Sequence, residues 1–126
     1  MAVLSLTAAN RALDWLLGGT PTAPVAPLRV ALTTTVGTDT TPGTEVTGGS
    51  YSRQTLAVAA AVGKTASNSA DLIWTGMPGG SIAGVEIWDS AETPVRWWYG
   101  PLDTPREVLV GDEFKIPPGA LDLTLE

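Results

Sequence analysis

Between Gly84 and Gly100 the chain reads GVEIWDSAETPVRWWYG, and apolar and polar positions alternate on both sides of a polar centre. Val85 and Ile87 alternate with Glu86 and Trp88, and Val95, Trp97 and Tyr99 alternate with Arg96 and Trp98. A period of two places each set on one face of a strand. Residues 89–94, DSAETP, are rich in turn formers, so the two strands are predicted to pair antiparallel as a hairpin. Trp88, Trp97 and Trp98 are three of the five tryptophans, which concentrates large apolar area here.

The same alternation recurs along the chain. Leu28–Thr35 reads as a strand, with Leu28, Val30 and Leu32 opposite Arg29, Ala31 and Thr33. Ser52–Val62 alternates too, with a second face made almost wholly of alanine. A strand is the preferred assignment there, against a competing alanine-rich helix. Asp71–Thr75 is a short strand containing Ile73 and Trp74, and Leu121, Leu123 and Leu125 mark a last one. Arg106–Val110 and Glu113–Ile116 are predicted to form a second hairpin across Gly111-Asp112. Turns are expected at Met77–Gly80, Pro101–Pro105 and Pro117–Gly119. Val36–Ser50 has no period and is either a surface excursion or an interface arm.

One segment has a helical period. Thr7 can cap a helix over Ala8–Leu17 that Gly18 and Gly19 end, with Ala9, Leu13, Leu16 and Leu17 on one stripe. Ten residues are too few for a stable lone helix, so it must dock on its own body or on a neighbour. Pro21, Pro24 and Pro27 then impose an extended crossing. The expected architecture is mainly β: an antiparallel β-sandwich or barrel-like domain with one short N-terminal α-helix. Residues 1–27 would form the helix and Pro-rich arm, and residues 28–126 a single β-domain.

Composition narrows the function classes. A hydrophobic fraction of 44% supports a real core. Only 16% of residues are charged, so the exterior is largely Thr, Ser, Gly, Pro and Ala. Such a surface fits a protein packed against others, the alternative being a monomer with a bland neutral surface. The net charge of −6 and the scatter of seven basic residues argue against nucleic acid. No apolar run approaches the roughly 20 residues of a membrane span. The start, MAVLSLTAANRALDW, lacks the basic and long apolar regions of a secretion signal.

There is no cysteine and no histidine, which removes thiolate chemistry, the commonest general base and the commonest metal ligand. Gly63-Lys64-Thr65 resembles the end of a phosphate loop, but the glycine required five residues earlier is Val58. Glu86, Asp89, Asp103, Glu107, Asp112 and Glu113 are the acids near the hairpin, and no pair among them is singled out for hydrolysis. Asp103, Asp112 and Asp122 lack the spacing of a calcium loop. No catalytic residue, metal or cofactor is expected. Consecutive strand residues face opposite ways, so of Trp97 and Trp98 one is predicted in the core and the other at an interface.

A set of short motifs then carries a family resemblance. Thr44-Glu45-Val46-Thr47-Gly48-Gly49-Ser50-Tyr51-Ser52-Arg53 fits a GTEVTGG-Y-R signature that begins at Gly43. Ser67-Asn68, Ile87-Trp88-Asp89, Trp98-Tyr99-Gly100-Pro101-Leu102, Gly111-Asp112 and Ile116-Pro117-Pro118-Gly119-Ala120-Leu121 follow in order. With the Leu-Leu-Gly-Gly exit of the helix, this resembles small virion proteins of tailed phages and prophages of high-GC bacteria, often labelled tail-fibre or minor structural proteins. The resemblance implies a non-enzymatic virion component, made in the host cytoplasm. Its partners would be the major capsid protein or tail proteins and further copies of itself, as a trimer by preference. The chain has no heptad run or collagen repeat for a fibre shaft, so capsid decoration is the leading expectation and a tail fibre or minor tail protein the alternative. A carbohydrate-binding sandwich using Trp88, Trp97 or Trp98 is the third reading. The candidate interface residues are Leu13 and Leu17 on the helix, Tyr51 and Arg53 in the signature, and Trp88, Trp97 and Trp98 on the hairpin.

Overall fold

The computed structural model describes residues 2–125. Its organising element is the expected hairpin, extended well beyond the expected limits. Strand β6 (Pro78–Trp88) pairs antiparallel with β7 (Arg96–Val110), with Val85 opposite Gly100, Glu86 opposite Tyr99 and Ile87 opposite Trp98. On one side β7 pairs with β1 (Val3–Leu4); on the other β6 pairs with β2 (Arg29–Thr33), which pairs with β3 (Gln54–Thr55). The result is a five-stranded sheet in the order β1-β7-β6-β2-β3. Two smaller ladders join β4 (Thr65–Ser67) to β9 (Asp122–Thr124), and β5 (Leu72–Trp74) to β8 (Phe114–Ile116). All these strand pairings are antiparallel, and the one helix among the described residues is α1 (Leu6–Leu16), so the mainly β reading with one short N-terminal helix holds.

Several local expectations are corrected. Arg106–Val110 does not turn back on Glu113–Ile116. Instead Pro78 lies opposite Val110 and Ile82 opposite Arg106, while Trp74 lies opposite Phe114 and Leu72 opposite Ile116. The two ladders therefore form one long ribbon that bends between them. Gly76 and Gly111 sit at that bend with φ of 60° and 87°, a conformation that L side chains resist. The bend is fastened by backbone bonds from Met77 to the Asp112 carbonyl (3.0 Å) and from Gly111 to the Met77 carbonyl (2.8 Å). Glycine and proline signals at 77–80 and 111–112 thus mark a matched bend in two strands, and sequence alone reads them as two turns.

Pro101–Pro105 is likewise no turn. Ile82 pairs with Arg106 and Gly84 with Pro101, so residues 102–105 bulge from β7 opposite Ala83. Of the long strand expected over Ser52–Val62, only Gln54–Thr55 is a strand; Val58 and Val62 make isolated bridges to Asn68 and Thr65. Helix was the competing assignment, and the segment is not helical either. The helix begins two residues earlier than expected, because Ser5 and not Thr7 is the cap. The Ser5 hydroxyl accepts from the Ala8 N–H (3.2 Å) and donates to the Arg96 carbonyl (2.6 Å), so one side chain both starts the helix and ties it to β7.

The core lies on one face of the five-stranded sheet. Val30, Leu32, Val85 and Ile87 pack there with Leu72, Trp74, Phe114 and Ile116 from the ribbon end and with Leu121 and Leu123. The Trp74 and Phe114 rings meet at 5.8 Å. Asn68 fixes the C-terminal segment to this core. Its amide donates to the carbonyls of Ala70 (2.9 Å) and Pro117 (3.0 Å), and its carbonyl accepts from Leu121 (3.0 Å).

Candidate functional site

The second face of the sheet carries Ala31, Thr33, Glu86, Arg96 and Tyr99, and residues 34–50 fold over part of it. Strand alternation directs Glu86 away from the core, yet it is 1% exposed and Arg96 is 7% exposed. Their ion pair closes at 3.2 Å. Glu86 Oε2 also accepts from the Gly43 N–H at 2.7 Å, and Oε1 from the Trp88 indole at 3.3 Å. Arg96 donates to the Thr38 carbonyl and lays its guanidinium 4.7 Å from the centre of the Tyr99 ring. Both charges therefore hold the 34–50 segment by its backbone. Gly43 is required for this approach, since a Cβ there would lie 2.1 Å from the Thr35 carbonyl oxygen.

A second ion pair stands at the edge of the first. Arg53 grips Glu45 through Nε (3.0 Å) and Nη2 (2.8 Å), the paired geometry that suits a planar guanidinium. The Tyr51 hydroxyl donates to Glu45 at 2.7 Å and accepts from the Leu32 N–H at 3.0 Å. Arg53 also lies 4.8 Å from the centre of the Trp88 ring, so Trp88 joins the two pairs. Partial burial pushes the Glu45 carboxyl up, but the bonds from Arg53 and Tyr51 outweigh it and leave the group below its ordinary range. Burial and the Glu45 carboxylate raise the Tyr51 phenol, and the same carboxylate raises Arg53.

Residues 34–50, which include the Val36–Ser50 stretch, are consequently not a loose excursion. Thr34 and Val46 bond to Thr44 and Leu32 (2.8 and 3.0 Å), Ser50 bonds to Gly76 (2.8 Å), and the Asp39 carbonyl accepts from Leu6 at the start of α1 (2.9 Å).

Asp89 closes the hairpin loop. One oxygen accepts from Val95 (2.9 Å) and Ala91 (3.3 Å), the other from the Trp97 indole (3.1 Å) and Val25 (3.3 Å). Burial alone would raise this carboxyl, but the four N–H donors, led by Val95, hold it below the usual carboxylate range. Among the acids weighed for catalysis, Glu86 and Asp89 are thus committed to internal bonds. Asp112 caps Leu109 (2.8 Å) and Asp122 takes the Ser67 hydroxyl (2.7 Å). Among the described residues, no three acidic, histidine or cysteine side chains come together as a metal site.

On the helix side the surface is apolar. α1 turns Ala8 inward, and Arg11 lies 5.4 Å from the centre of the Trp97 ring. A groove of about 340 Å³ opens between α1, residues 21–24 and the hairpin, lined by Leu4, Trp15, Pro24, Trp97 and Trp98 among others. A separate cleft of about 210 Å³ lies beneath the bulge at Leu102–Thr104, bordered by Arg106, Lys115 and Phe114.

The seven residues singled out from the sequence fall into two groups. Tyr51, Arg53 and Trp88 gather around the ion pairs, all half-buried. Trp97 is buried and Trp98 half-buried beside α1, while Leu13 and Leu17 stand out from the helix, 55% and 79% exposed. The Glu86–Arg96 pair escaped notice. Its signal was present, as opposite charges on facing strands of one hairpin, but alternation assigns both to solvent. Arg11 and Trp15 were also missed, because Arg11 reads as the polar side of the helix.

Comparison with known proteins follows the geometry. A family model described as "Podophage GP4 fiber I protein gp80" matches residues 3–124. No curated protein matches the chain. The match agrees with the tail-fibre form of the tailed-phage resemblance, and the high-GC hosts of that resemblance have no counterpart in it.

Proposed function

From the premise that the chain belongs to the family of podophage GP4 fiber I protein gp80, we propose that it is a non-enzymatic structural component of a phage tail fibre. The match over residues 3–124 carries this reading, and it favours a fibre over the capsid decoration that the lack of a shaft repeat first suggested. The geometry supports a structural role. Glu45, Tyr51 and Arg53 of the signature, with Asp89 and Asn68, are engaged by bonds within the chain, which leaves no free acid–base pair among them. Arg53 over Trp88 and Arg11 over Trp97 each occupy a ring face on which a sugar would stack, which weighs against the carbohydrate-binding reading. The partners are tail proteins of the same particle and further copies of this chain.

Gold-labelled antibody on purified particles tests the reading. Label at the tail, and particles that lose adsorption or tail completion without the protein, are expected. Label spread over the head, with protein-free particles that rupture readily on heating, would replace it with capsid decoration.

A further inference from the structure

Arg11 is the cation of the described chain that leaves solvent without meeting an acid. Arg53 and Arg96 are paired with Glu45 and Glu86, and the exposed Lys115 with Asp71. Arg29, Lys64 and Arg106 pair with no described carboxylate, but all three are exposed. Arg11 is half-buried, and its contact among the described residues is the Trp97 ring at 5.4 Å. A ring is a weaker partner than a carboxylate, and the N–H donors of the guanidinium remain available. Arg11 stands on the wall of the groove of about 340 Å³ between α1, residues 21–24 and the hairpin. It is the charged residue of that lining; Thr22 apart, the rest is apolar, with Trp15, Trp97 and Trp98 among it. One wall is tied only at its ends. Residues 20–24 are all exposed and form no hydrogen bond to the rest of the described chain. Gly19 is bonded to Asp14 (2.7 Å) before them, and Val25 to Ser90 (2.9 Å) and Asp89 (3.3 Å) after them.

We propose that this groove binds a small amphiphile, an apolar chain or ring ending in one anionic group such as a carboxylate. The anion meets Arg11, and the apolar body lies against Trp15, Trp98 and Pro24. The inference goes beyond the fibre reading and does not depend on it. Charge selects the end of the ligand. A half-buried guanidinium gains more from an anion than an exposed one, because apolar walls weaken the screening by solvent. No carboxylate lines the groove to compete for it. The indole and proline walls select the body, since covering them removes apolar area from water. Size selects a small molecule. Ligand sites begin at about 300 Å³, and a groove bounded by a helix, a strap and a hairpin admits a chain or ring rather than a folded element. The net charge of −6 opposes approach to an anionic membrane surface, so the ligand is a free molecule and not a bilayer lipid. It can enter by displacing residues 20–24, which breaks no hydrogen bond.

Titration of the full chain with octanoate, followed by tryptophan fluorescence and by the indole N–H signals in NMR, tests this. 1-Octanol supplies the same chain without the charge, and acetate the charge without the chain. Octanoate is expected to saturate about tenfold more tightly than octanol, as a charge-assisted bond implies, and acetate not to saturate over the same range. Arg11→Gln should bring octanoate down to the level of octanol and leave octanol unchanged. Arg29→Gln, which removes an exposed cation elsewhere, should leave both as they were. Arg11→Lys keeps the charge and should keep part of the preference for octanoate, which preserves the test where Arg11→Gln melts early. The indole signals of Trp15 and Trp98 should move and that of the buried Trp74 should not. Absence of saturation by octanoate, equal affinity for octanoate and octanol, a preference that Arg11→Gln spares or Arg29→Gln removes, or shifts confined to residues outside the groove would overturn the proposal. So would binding to phosphatidylglycerol vesicles with no response to octanoate.

Discussion

The two coverings of the hairpin treat side chains in opposite ways. The 34–50 segment covers the second face and buries charge: Glu86 and Arg96 go inside, and every polar partner is supplied by the chain itself. Helix α1 covers the neighbouring surface and leaves apolar area outside, with Leu13, Leu16 and Leu17 all more than half exposed. The buried charges are met by partners within the chain, whereas exposed leucines cost free energy until something covers them. A partner contact is therefore expected on the helix side, whereas Glu45, Tyr51 and Arg53 of the signature lie on the other.

Four measurements would break or sharpen that contrast. The largest effect is expected from Glu86→Ala, which leaves Arg96 buried without its partner and should cost about 3–5 kcal/mol in denaturant unfolding. A Glu86→Leu/Arg96→Met double variant should lose clearly less, because two apolar residues remove both charges together. Equal losses would mean that the pair contributes little beyond volume. Next, Asp89→Ala strands several buried N–H donors and should cost about 1–3 kcal/mol. An unchanged midpoint would show that the loop relaxes to water.

Acid should act on the charged side first. Glu45 and Asp89 have carboxyl groups lowered in the folded chain, so the unfolded chain binds protons more readily. Their contribution is present above an unfolded value of about 4 and is lost as pH falls through the lower folded values. The melting temperature should drop below about pH 4, and Arg53→Ala should weaken the Glu45 part of that dependence. The smallest effect is expected from Leu13→Glu, which should shift monomer stability by no more than about 0.5 kcal/mol as a surface change. A large loss would place Leu13 in the fold of the monomer and contradict the contrast.

Sequence periodicity made much of this frame legible. The register around Val85–Trp88 follows from strict alternation, and the short helix from its stripe and the glycines after it. What failed had a physical cause in each case. Gly76, Pro78 and Gly111 mark a bend, and local signals cannot separate a chain that reverses from two strands that kink together. Ser52–Val62 alternates apolar and small residues but finds almost no strand partner, so its pattern lacks a sheet to satisfy. Glu86 and Arg96 read as solvent-facing because their cover comes from a segment some 40 residues earlier, which alternation cannot see. Leu13 and Leu17 were legible as an apolar stripe, and the sequence left open whether the body or a neighbour would bury it. In the folded chain it is not the body.

Hydrogen exchange, compared between the free chain and the chain in assembled particles, tests the central contrast most directly. The account predicts that amides of residues 34–50 and of the hairpin are equally protected in both, while amides of Leu6–Leu17 gain protection on assembly. Helix amides unchanged on assembly, with new protection at residues 34–50, would contradict it.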